Sequence, residues 1–367
     1  MKSCGVDILG MGLQEAIEVL SAGAPAYRVK QIEQAFFNPK IKNWSDITVL
    51  AKNERQKLEA LPFFSFKDSK VLTSRDGSFK AVLELLDGQK IETVLMPNTR
   101  GHWTICLSTQ VGCARGCGFC ATGTMGLVRN LSVDEIVDQY RFWLHSIVIP
   151  AKAGIQTGFP IRSGTTALEQ GSITNLVFMG MGEPLDNYES VKTAINLILK
   201  YTEIGPTRIT VSTVGVWPTL DTLLSDKDWS PVRLAISLHG ADAATRKKIV
   251  PSTPPDFFEK LTVWSKNYLK QKGNRRHYLT FEYIMISGVN DSLVQAEKLA
   301  ALTKEIFQVR INLVPCNPIG GHWQESAAES IDKFQTLLEK EGITVTVRRS
   351  MGQDIAAACG QLATKNI

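Results

Sequence analysis

The sequence predicts an α/β protein whose parallel sheet is wound as a partial, TIM-like (β/α)6 barrel, preceded by a small helical and β accessory unit. Six short apolar runs alternate with amphipathic segments of helical periodicity. Apart from the first two, consecutive runs begin roughly 25 to 45 residues apart, which is typical of strand–helix units in a parallel sheet. The first 95 residues lack this alternation, and their helical segments come before their strands.

Residues 1–95 are predicted to form a unit of their own. Residues 11–23 and 27–37 have helical periodicity, and Trp44 to Leu61 is predicted as a third helix. Residues 71–97 then alternate as strands do, with Asp76-Gly77 and Asp87-Gly88 as the hairpin turns. The sequence therefore predicts a small helical bundle joined to a β meander.

Residues 96–350 are predicted to form the barrel core. Its strands are predicted at residues 104–109, 173–180, 207–213, 232–238, 278–286 and 309–315, with a last strand at 343–350. Its helices are predicted to begin near Ser132, Tyr188, Trp217, Asp242, Pro255, Ser292 and Ser326. Residues 148–171 are rich in Gly, Pro, Ser and Thr and are predicted as a surface insertion, and residues 351–367 form a C-terminal segment. In such a barrel, chemistry belongs on the loops that follow the carboxyl ends of the strands.

Composition limits the location and the thiol chemistry of the protein. The 367 residues include 41 Lys and Arg against 36 Asp and Glu, and the net charge of +5 permits a polyanionic partner without requiring one. No run approaches the length of a membrane span, and Asp7 interrupts the segment where a signal peptide needs an apolar core. We therefore expect a cytoplasmic protein without a membrane partner. Seven cysteines in such a chain argue against a disulfide framework and for metal binding or thiol chemistry.

Three of these cysteines are clustered in the run QVGCARGCGFCATG. Cys113, Cys117 and Cys120 follow the first barrel strand at C-x3-C-x2-C spacing, within a glycine-rich loop that lets their sulfurs converge. A structural zinc site needs four ligands and no second cysteine pair of that kind follows. A disulfide is disfavoured by the compartment, and three unrelated buried thiols would not cluster in this way. The pattern favours a cubane iron–sulfur cluster held by three thiolates, with its fourth iron open to a substrate.

This cysteine run, followed by Gly180–Pro184 (GMGEP) at the end of the second strand, resembles the radical S-adenosylmethionine (SAM) superfamily. The stretches TICLSTQVGC, RNLSVDEI, VFMGMGEPLDNY, ISLHGADAATRKKIVP and RRSMGQDIAAACGQL narrow the match. Together they resemble the dual-specificity RNA adenine-C2 methyltransferases, the RlmN type, across nearly the whole chain. The insertion at 148–171 and Cys316, where an aromatic residue is more usual, depart from the family pattern.

The resemblance implies a [4Fe-4S] cluster on Cys113, Cys117 and Cys120 that cleaves SAM to a 5′-deoxyadenosyl radical. It also implies that Cys359 carries a methyl group from a first SAM, becomes a methylene radical and adds to adenine C2. Cys106 then resolves the protein–RNA link by forming a transient disulfide with Cys359. From residues alone, Cys359 would be a small buried side chain at a helix end and Cys106 an interior strand residue.

The resemblance further implies Glu92 as a catalytic acid for proton transfer, where the bare sequence predicts a solvated carboxylate on a strand. The SAM-binding positions that match the family lie at predicted strand ends. They are Gly182, Glu183, Ser212, Ser237, Leu238, His239 and Asn317. His239 taken alone would be a hydrogen-bonded structural histidine. Cys4 and Cys316 have no predicted chemical role.

The implied substrates are 23S rRNA and tRNA, with the accessory unit binding RNA, a reductase such as flavodoxin supplying electrons, and the chain acting as a monomer. Three basic clusters are candidate RNA contacts, although charge runs are usually solvated surfaces. They are Lys260, Lys266, Lys270, Lys272, Arg275 and Arg276 with Trp264 and Tyr268 among them; Arg246, Lys247 and Lys248; and Arg28, Lys30, Lys40 and Lys42. Two alternatives stay open, a C8-methylating relative that gives antibiotic resistance and a non-enzymatic iron–sulfur RNA-binding protein.

Overall fold

The architecture is that of an open barrel sheet with helices on its outer side. The computed structural model describes residues 13, 16, 17, 25–98, 100–148, 171–273, 278–321 and 323–363. In that part of the chain the helices are α1 (Ala26–Phe36), α2 (Lys52–Leu58), α3 (Val133–Val148), α4 (Tyr188–Tyr201), α5 (Thr219–Ser225), α6 (Ala243–Ile249), α7 (Phe257–Lys272), α8 (Leu293–Ile306) and α9 (Ala328–Lys340). None of these described helices is long and apolar enough to cross a bilayer.

The strands of the parallel sheet follow the predicted runs closely, and the first of them is followed by a small hairpin that was not predicted. They are β1 (Phe66–Thr73), β2 (Phe79–Leu85), β3 (Lys90–Pro97), β4 (Trp103–Cys106), β5 (Gln110–Cys113), β6 (Gly126–Asn130), β7 (Ile173–Phe178), β8 (Ile209–Thr213), β9 (Arg233–Ser237), β10 (Leu279–Met285), β11 (Val309–Pro315) and β12 (Thr344–Val347). Strands β4, β7, β8, β9, β10, β11 and β12 pair in parallel in that order. This parallel sheet, with helices between its strands, confirms the predicted partial barrel.

Three helices of the barrel begin at capping residues near which the sequence predicts a helix start. Ser132 binds the amide of Glu135, Asp242 accepts from the amide of Thr245, and Ser292 accepts from the amide of Gln295. Each side chain thereby satisfies an amide that has no partner within the helix. These caps fix the first turns of α3, α6 and α8 at the barrel rim.

The predicted helix from Trp44 to Leu61 is wrong. A 3-10 turn covers Trp44–Asp46, and the α-helix starts only at Lys52. The Asp46 carboxylate accepts from the amides of Lys42 and Asn43, and the Glu54 carboxylate accepts from the amide of Ala51. Two separate caps thus divide the segment into two short elements.

The sheet does not stop at the predicted boundary near residue 95. Strands β1, β2 and β3 form an antiparallel meander with turns at Gly77 and Gly88, as predicted, and β3 pairs antiparallel with β4 from Val94 and Cys106 to Pro97 and Trp103. The result is one ten-stranded sheet among the described residues. Glu92 on β3 is thereby brought close to the first barrel strand.

One hydrophobic core joins the three predicted regions. Phe36 from the accessory helices, Phe281 from the barrel and Leu362 from the C-terminal segment belong to the same buried cluster. The predicted division into 1–95, 96–350 and 351–367 stays a prediction about folding units. The predicted insertion at 148–171 and the segment 11–23 lie almost wholly outside the described residues.

Candidate active site

The cysteine loop is held by a small hairpin of β5 and β6. Gly112 adopts φ +76°, and a Cβ there would collide with the carbonyl of Gly126 on the paired strand. Gly118 donates its amide to the carbonyl of Ile249 at 3.0 Å, which ties the loop to the end of α6. The loop is therefore closely packed on both sides, at the carboxyl-terminal end of the barrel.

Cys113, Cys117 and Cys120 line one cavity at the barrel mouth. Burial raises the pKa of each thiol, and neighbouring cysteines of the loop contribute to the increase for Cys113 and Cys117. The pKa of Cys113 is raised to about 12. Within the described ranges no three side chains already stand in metal-binding geometry. The donor set of the loop itself, three thiols at C-x3-C-x2-C spacing, fits a cluster that keeps one iron open. Binding such a cluster releases the thiol protons.

Five of the seven predicted SAM contacts line the same cavity. They are Gly182, Glu183, Ser212, Ser237 and His239. The hydroxyls of Ser212 and Ser237 lie 3.1 Å apart across the ends of β8 and β9. Gly182 adopts φ +98°, and it lies so close to Gln110 that a Cβ added to Gly182 would be 2.5 Å from the Gln110 Cβ. These five positions therefore line one cavity, as expected for residues at the carboxyl ends of barrel strands.

Glu183 and His239 are buried groups with fixed roles. The Glu183 carboxylate accepts from the amides of Leu185 at 2.9 Å and Val214 at 2.8 Å, while burial raises its pKa to about 7. His239 Nδ1 accepts from the amide of Ile284 at 3.1 Å, and burial lowers the pKa of the imidazole to about 3. His239 is therefore neutral near pH 7, with its ring edge-on to Phe119.

The other two predicted SAM contacts do not line the cavity. Leu238 is fully buried, and its amide donates to the carbonyl of Glu282 at 2.9 Å. The Asn317 side chain donates to the carbonyl of Cys359 at 3.0 Å and accepts from Gln353 at 2.7 Å. Asn317 thus contacts the segment that carries Cys359.

Cys106 and Cys359 come together although 252 positions in the chain separate them. Both line a second cavity, which adjoins the first and shares Met179, Arg348 and Cys359 with it. Burial, with a smaller contribution from the neighbouring Cys359, raises the pKa of Cys106 to about 12. Cys359 keeps accessible surface in the open cavity, yet the surrounding protein still raises its pKa to about 11.

Arg348, which the sequence did not single out, lies between the two cavities. Its guanidinium lowers the pKa of both Cys106 and Cys359 and lies 3.7 Å from the Glu282 carboxylate. Glu282 is almost wholly buried and also faces the first cavity. The signals available were a charged residue inside the apolar strand YLTFEYIMI and an arginine directly after the last strand.

Glu92 is not the solvated carboxylate that its position on a strand predicts. It is fully buried, its carboxylate lies 3.2 Å from Lys80 Nζ, and it accepts from the amide of Ala363 at 3.0 Å. Burial raises its pKa, while Lys80 and the Ala363 amide lower it. Glu92 lines neither cavity. Its catalytic role stays a prediction.

Two of the basic clusters need correction. Arg246 is buried, and its guanidinium donates to carbonyls at the ends of the barrel strands. Lys247 and Lys248 are exposed. Trp264 and Tyr268 are also buried and stack on each other inside α7, so neither can contact RNA. Arg275, Arg276 and Cys4 lie outside the described residues. Cys316 is buried in a small apolar cluster beside Cys117, as expected for a residue without chemistry.

The chain is similar to known proteins over nearly all its length. A comparison with models of protein families found no match. A dual-specificity RNA methyltransferase RlmN of Desulfotalea psychrophila is 37% identical over 364 residues, covering 98% of this chain and 95% of that protein. A probable dual-specificity RNA methyltransferase RlmN of Dictyoglomus thermophilum is 39% identical over 362 residues, covering 97% and 96%.

A solved structure supports the same relationship. The crystal structure of a radical SAM methyltransferase from Sphaerobacter thermophilus superposes with a TM-score of 0.81 at 37% identity, covering 96% of this chain and 97% of that one. Identity of this size, over almost the full length of each chain and with the same fold, is shared by relatives of one family. The chain therefore belongs to the RlmN family of dual-specificity RNA methyltransferases.

Proposed function

We propose that the protein is a radical SAM RNA methyltransferase that methylates C2 of an adenine in 23S rRNA and of the adenine 3′ to the anticodon in a subset of tRNAs. The observation that carries this proposal is the convergence of five cysteines on two adjoining cavities. Cys113, Cys117 and Cys120 line the first cavity, Cys106 lines the second, and Cys359 lines both. Family membership supplies the class of substrate.

Cys113, Cys117 and Cys120 would hold the [4Fe-4S] cluster, and Gly182, Glu183, Ser212, Ser237 and His239 would bind SAM beside it. When both are bound, the cluster and SAM supply the 5′-deoxyadenosyl radical, because one-electron reduction of SAM cleaves a carbon–sulfur bond of its sulfonium. The imidazole of His239 is neutral, so it would add no positive charge to a cavity that receives a sulfonium cation. Leu238 would act from behind the cavity wall, by holding the strand end that carries Ser237 and His239, and Asn317 would act through the segment that carries Cys359.

The two remaining thiols handle the one-carbon unit. Adenine C2 lies between two ring nitrogens and is electron-poor, so a nucleophilic attack by C2 on SAM fails, whereas a carbon radical adds to it. Cys359 carries the methyl carbon as a thioether and bonds through it to C2. After C2 loses its proton, the neighbouring Cys106 releases the product: its sulfur bonds to the Cys359 sulfur as the bond from that sulfur to the one-carbon unit breaks, and the released carbon takes up a proton to become the methyl group. Arg348 partly offsets the burial that raises the pKa of both thiols, and this favours the Cys359 thiolate that accepts the methyl group.

Proton transfer at C2 is proposed for Glu92, supported by its raised pKa and its place beside β4. Exposed lysines of the basic clusters, among them Lys30, Lys40, Lys247 and Lys260, suit contact with the RNA backbone. A reductase such as flavodoxin would supply the electron, and the protein would act as a cytoplasmic monomer.

The test is anaerobic reconstitution with iron, sulfide, dithionite, SAM and separate rRNA and tRNA substrates, with nucleosides analysed by mass spectrometry. Wild type is expected to give 2-methyladenosine in both RNAs. Cys359→Ala should keep its iron but yield no methylated RNA, and Cys106→Ala should accumulate a covalent protein–RNA adduct. The matched control is Cys316→Ala, because Cys316 is buried outside both cavities and should leave the product unchanged.

Three results would contradict the proposal. A product of 8-methyladenosine would assign the chain to C8 chemistry. The absence of 5′-deoxyadenosine would favour a non-enzymatic iron–sulfur protein. Free methylated RNA from both cysteine variants would remove the assigned roles of Cys359 and Cys106.

A further inference from the structure

The segment Gly352–Ala363, which carries Cys359, has little regular structure of its own. One short 3-10 turn covers Gln353–Ile355, and Ala356 directly after it adopts φ +50°, a left-handed conformation that is strained for a residue with a Cβ. Contacts from elsewhere in the fold must therefore hold this segment, and with it the Cys359 thiol, in place.

One set of contacts comes from the turn between β1 and β2. The Asp76 carboxylate accepts from the amide of Gly352 at 2.6 Å. The Asp354 carboxylate accepts from the Ser74 hydroxyl at 2.5 Å and from the amide of Arg75 at 3.1 Å. These bonds join residues that lie 276 to 280 positions apart in the chain. They fix the start of the segment before Cys359.

A buried ion pair holds the segment on both sides of Cys359. Lys80 Nζ donates to the carbonyl of Ala356 at 3.1 Å and lies 3.2 Å from the Glu92 carboxylate. The other Glu92 oxygen accepts from the amide of Ala363 at 3.0 Å. Lys80 and Glu92 are at most 3% exposed. The pair therefore spans the short stretch of chain with Cys359 at its middle.

Such a pair contributes little to net stability. Desolvation of two buried charges roughly cancels their attraction, and apolar residues of similar volume are often as stable. What this pair provides is direction, because each partner has one remaining hydrogen-bonding group aimed at a backbone atom of the Cys359 segment. An apolar pair could fill the space but could not set the position of that backbone.

We propose that Lys80 and Glu92 are positioning residues, which fix the Cys359 segment so that its thiol faces Cys106. This rests on the thiol roles given under the proposed function. It predicts that breaking the pair makes the bond between Cys106 and Cys359 harder to form, even without iron, SAM or RNA.

The experiment equilibrates the iron-free full-length chain with reduced and oxidised glutathione. One oxidised glutathione is reduced to two thiols while Cys106 and Cys359 lose two protons and two electrons to become a disulfide. The cross-linked peptide is quantified by mass spectrometry, which gives an equilibrium constant. We expect Lys80→Met to lower this constant at least tenfold and Lys80→Arg to restore most of it. Glu92→Gln should also lower it, a change that a role limited to proton transfer would not produce.

The matched control is Lys67→Met, which breaks the exposed Lys67–Glu84 pair on the same hairpin and should leave the constant unchanged. If Lys80→Met does not fold, as judged by circular dichroism, Asp76→Ala removes the acceptor for the Gly352 amide and should lower the constant in the same direction. Hydrogen exchange at residues 352–363 should accelerate in every variant that lowers it.

An unchanged constant in folded Lys80→Met, or in Asp76→Ala where it replaces that variant, overturns the proposal. An unchanged constant in Glu92→Gln overturns the role given to Glu92. Failure of the proposed function is separate, since it would appear as wild-type protein that makes no 2-methyladenosine.

Discussion

Replacing Arg246 by Met tests whether a buried guanidinium organises the SAM-binding ends of the barrel strands. The Arg246 side chain is 1% exposed. It donates to the carbonyls of Leu238 at 3.0 Å, Val214 at 2.5 Å and Ser237 at 3.2 Å, and to the Thr253 hydroxyl at 2.6 Å. These carbonyls belong to the residues that end β9 and follow β8. The guanidinium therefore joins the two strand ends that carry Ser212 and Ser237.

The cost follows from those acceptors. A buried carbonyl that loses its donor costs about 1 to 3 kcal/mol. In the described part of the chain no carboxylate lies within ion-pair distance of Arg246, and burial lowers the pKa of its guanidinium to about 9. Removing this buried charge also removes its desolvation penalty, which offsets part of the cost of the unpaired carbonyls. Three carbonyls at the lower value give a loss of about 3 kcal/mol in the free energy of unfolding.

The assay is urea unfolding of the iron-free protein, together with calorimetric titration of SAM into the reconstituted protein. Arg246→Met should lose about 3 kcal/mol and bind SAM at least tenfold more weakly. Arg246→Lys should be intermediate, because one ammonium cannot reach all four acceptors. Arg208→Met is the control, since Arg208 is exposed with one side-chain bond at 3.3 Å, and should change stability by less than about 0.5 kcal/mol. If Arg246→Met matches wild type in both measurements, the reasoning is refuted.

Two further predictions concern acid stability and the cysteine loop. Burial lowers the pKa of His145 to about 4. Below a pH of about 6.5 the unfolded chain therefore binds a proton at this histidine that the folded chain does not bind. The free energy of unfolding consequently falls as the pH drops from 6.5 towards 4. Between pH 7 and pH 5 this proton lowers the free energy of unfolding by about 2 kcal/mol. Urea unfolding at both pH values should therefore show that His145→Leu loses about 2 kcal/mol less stability than wild type over this range. Equal losses in the two proteins would contradict the prediction. Gly112→Ala should lose most of its iron on reconstitution because of the collision with Gly126, whereas Gly116→Ala, with φ +67° but open space around it, should keep most; equal iron in both variants would contradict the role of the collision.

The elements that the sequence predicted well depend on local rules. The turns at Gly77 and Gly88 follow from residues that tolerate positive φ, and α3, α6 and α8 begin at their capping residues, Ser132, Asp242 and Ser292. The segment from Trp44 to Leu61 has helical periodicity, but periodicity does not reveal a second cap in the middle of a segment. The prediction there failed for that reason.

The parallel barrel, the cysteine loop and family membership were all determined by the sequence alone, because strand alternation and motif spacing are carried by neighbouring residues. Only the tertiary structure decided which charges and aromatic rings are buried. Arg246 and Lys247 are adjacent in sequence, yet the Arg246 side chain is buried at the ends of the barrel strands and Lys247 is exposed to solvent. The tertiary structure also brought Lys80 and Glu92 to the segment that carries Cys359. Contacts between residues so distant in the chain depend on how the sheet and the C-terminal segment pack, and no local pattern encodes that packing.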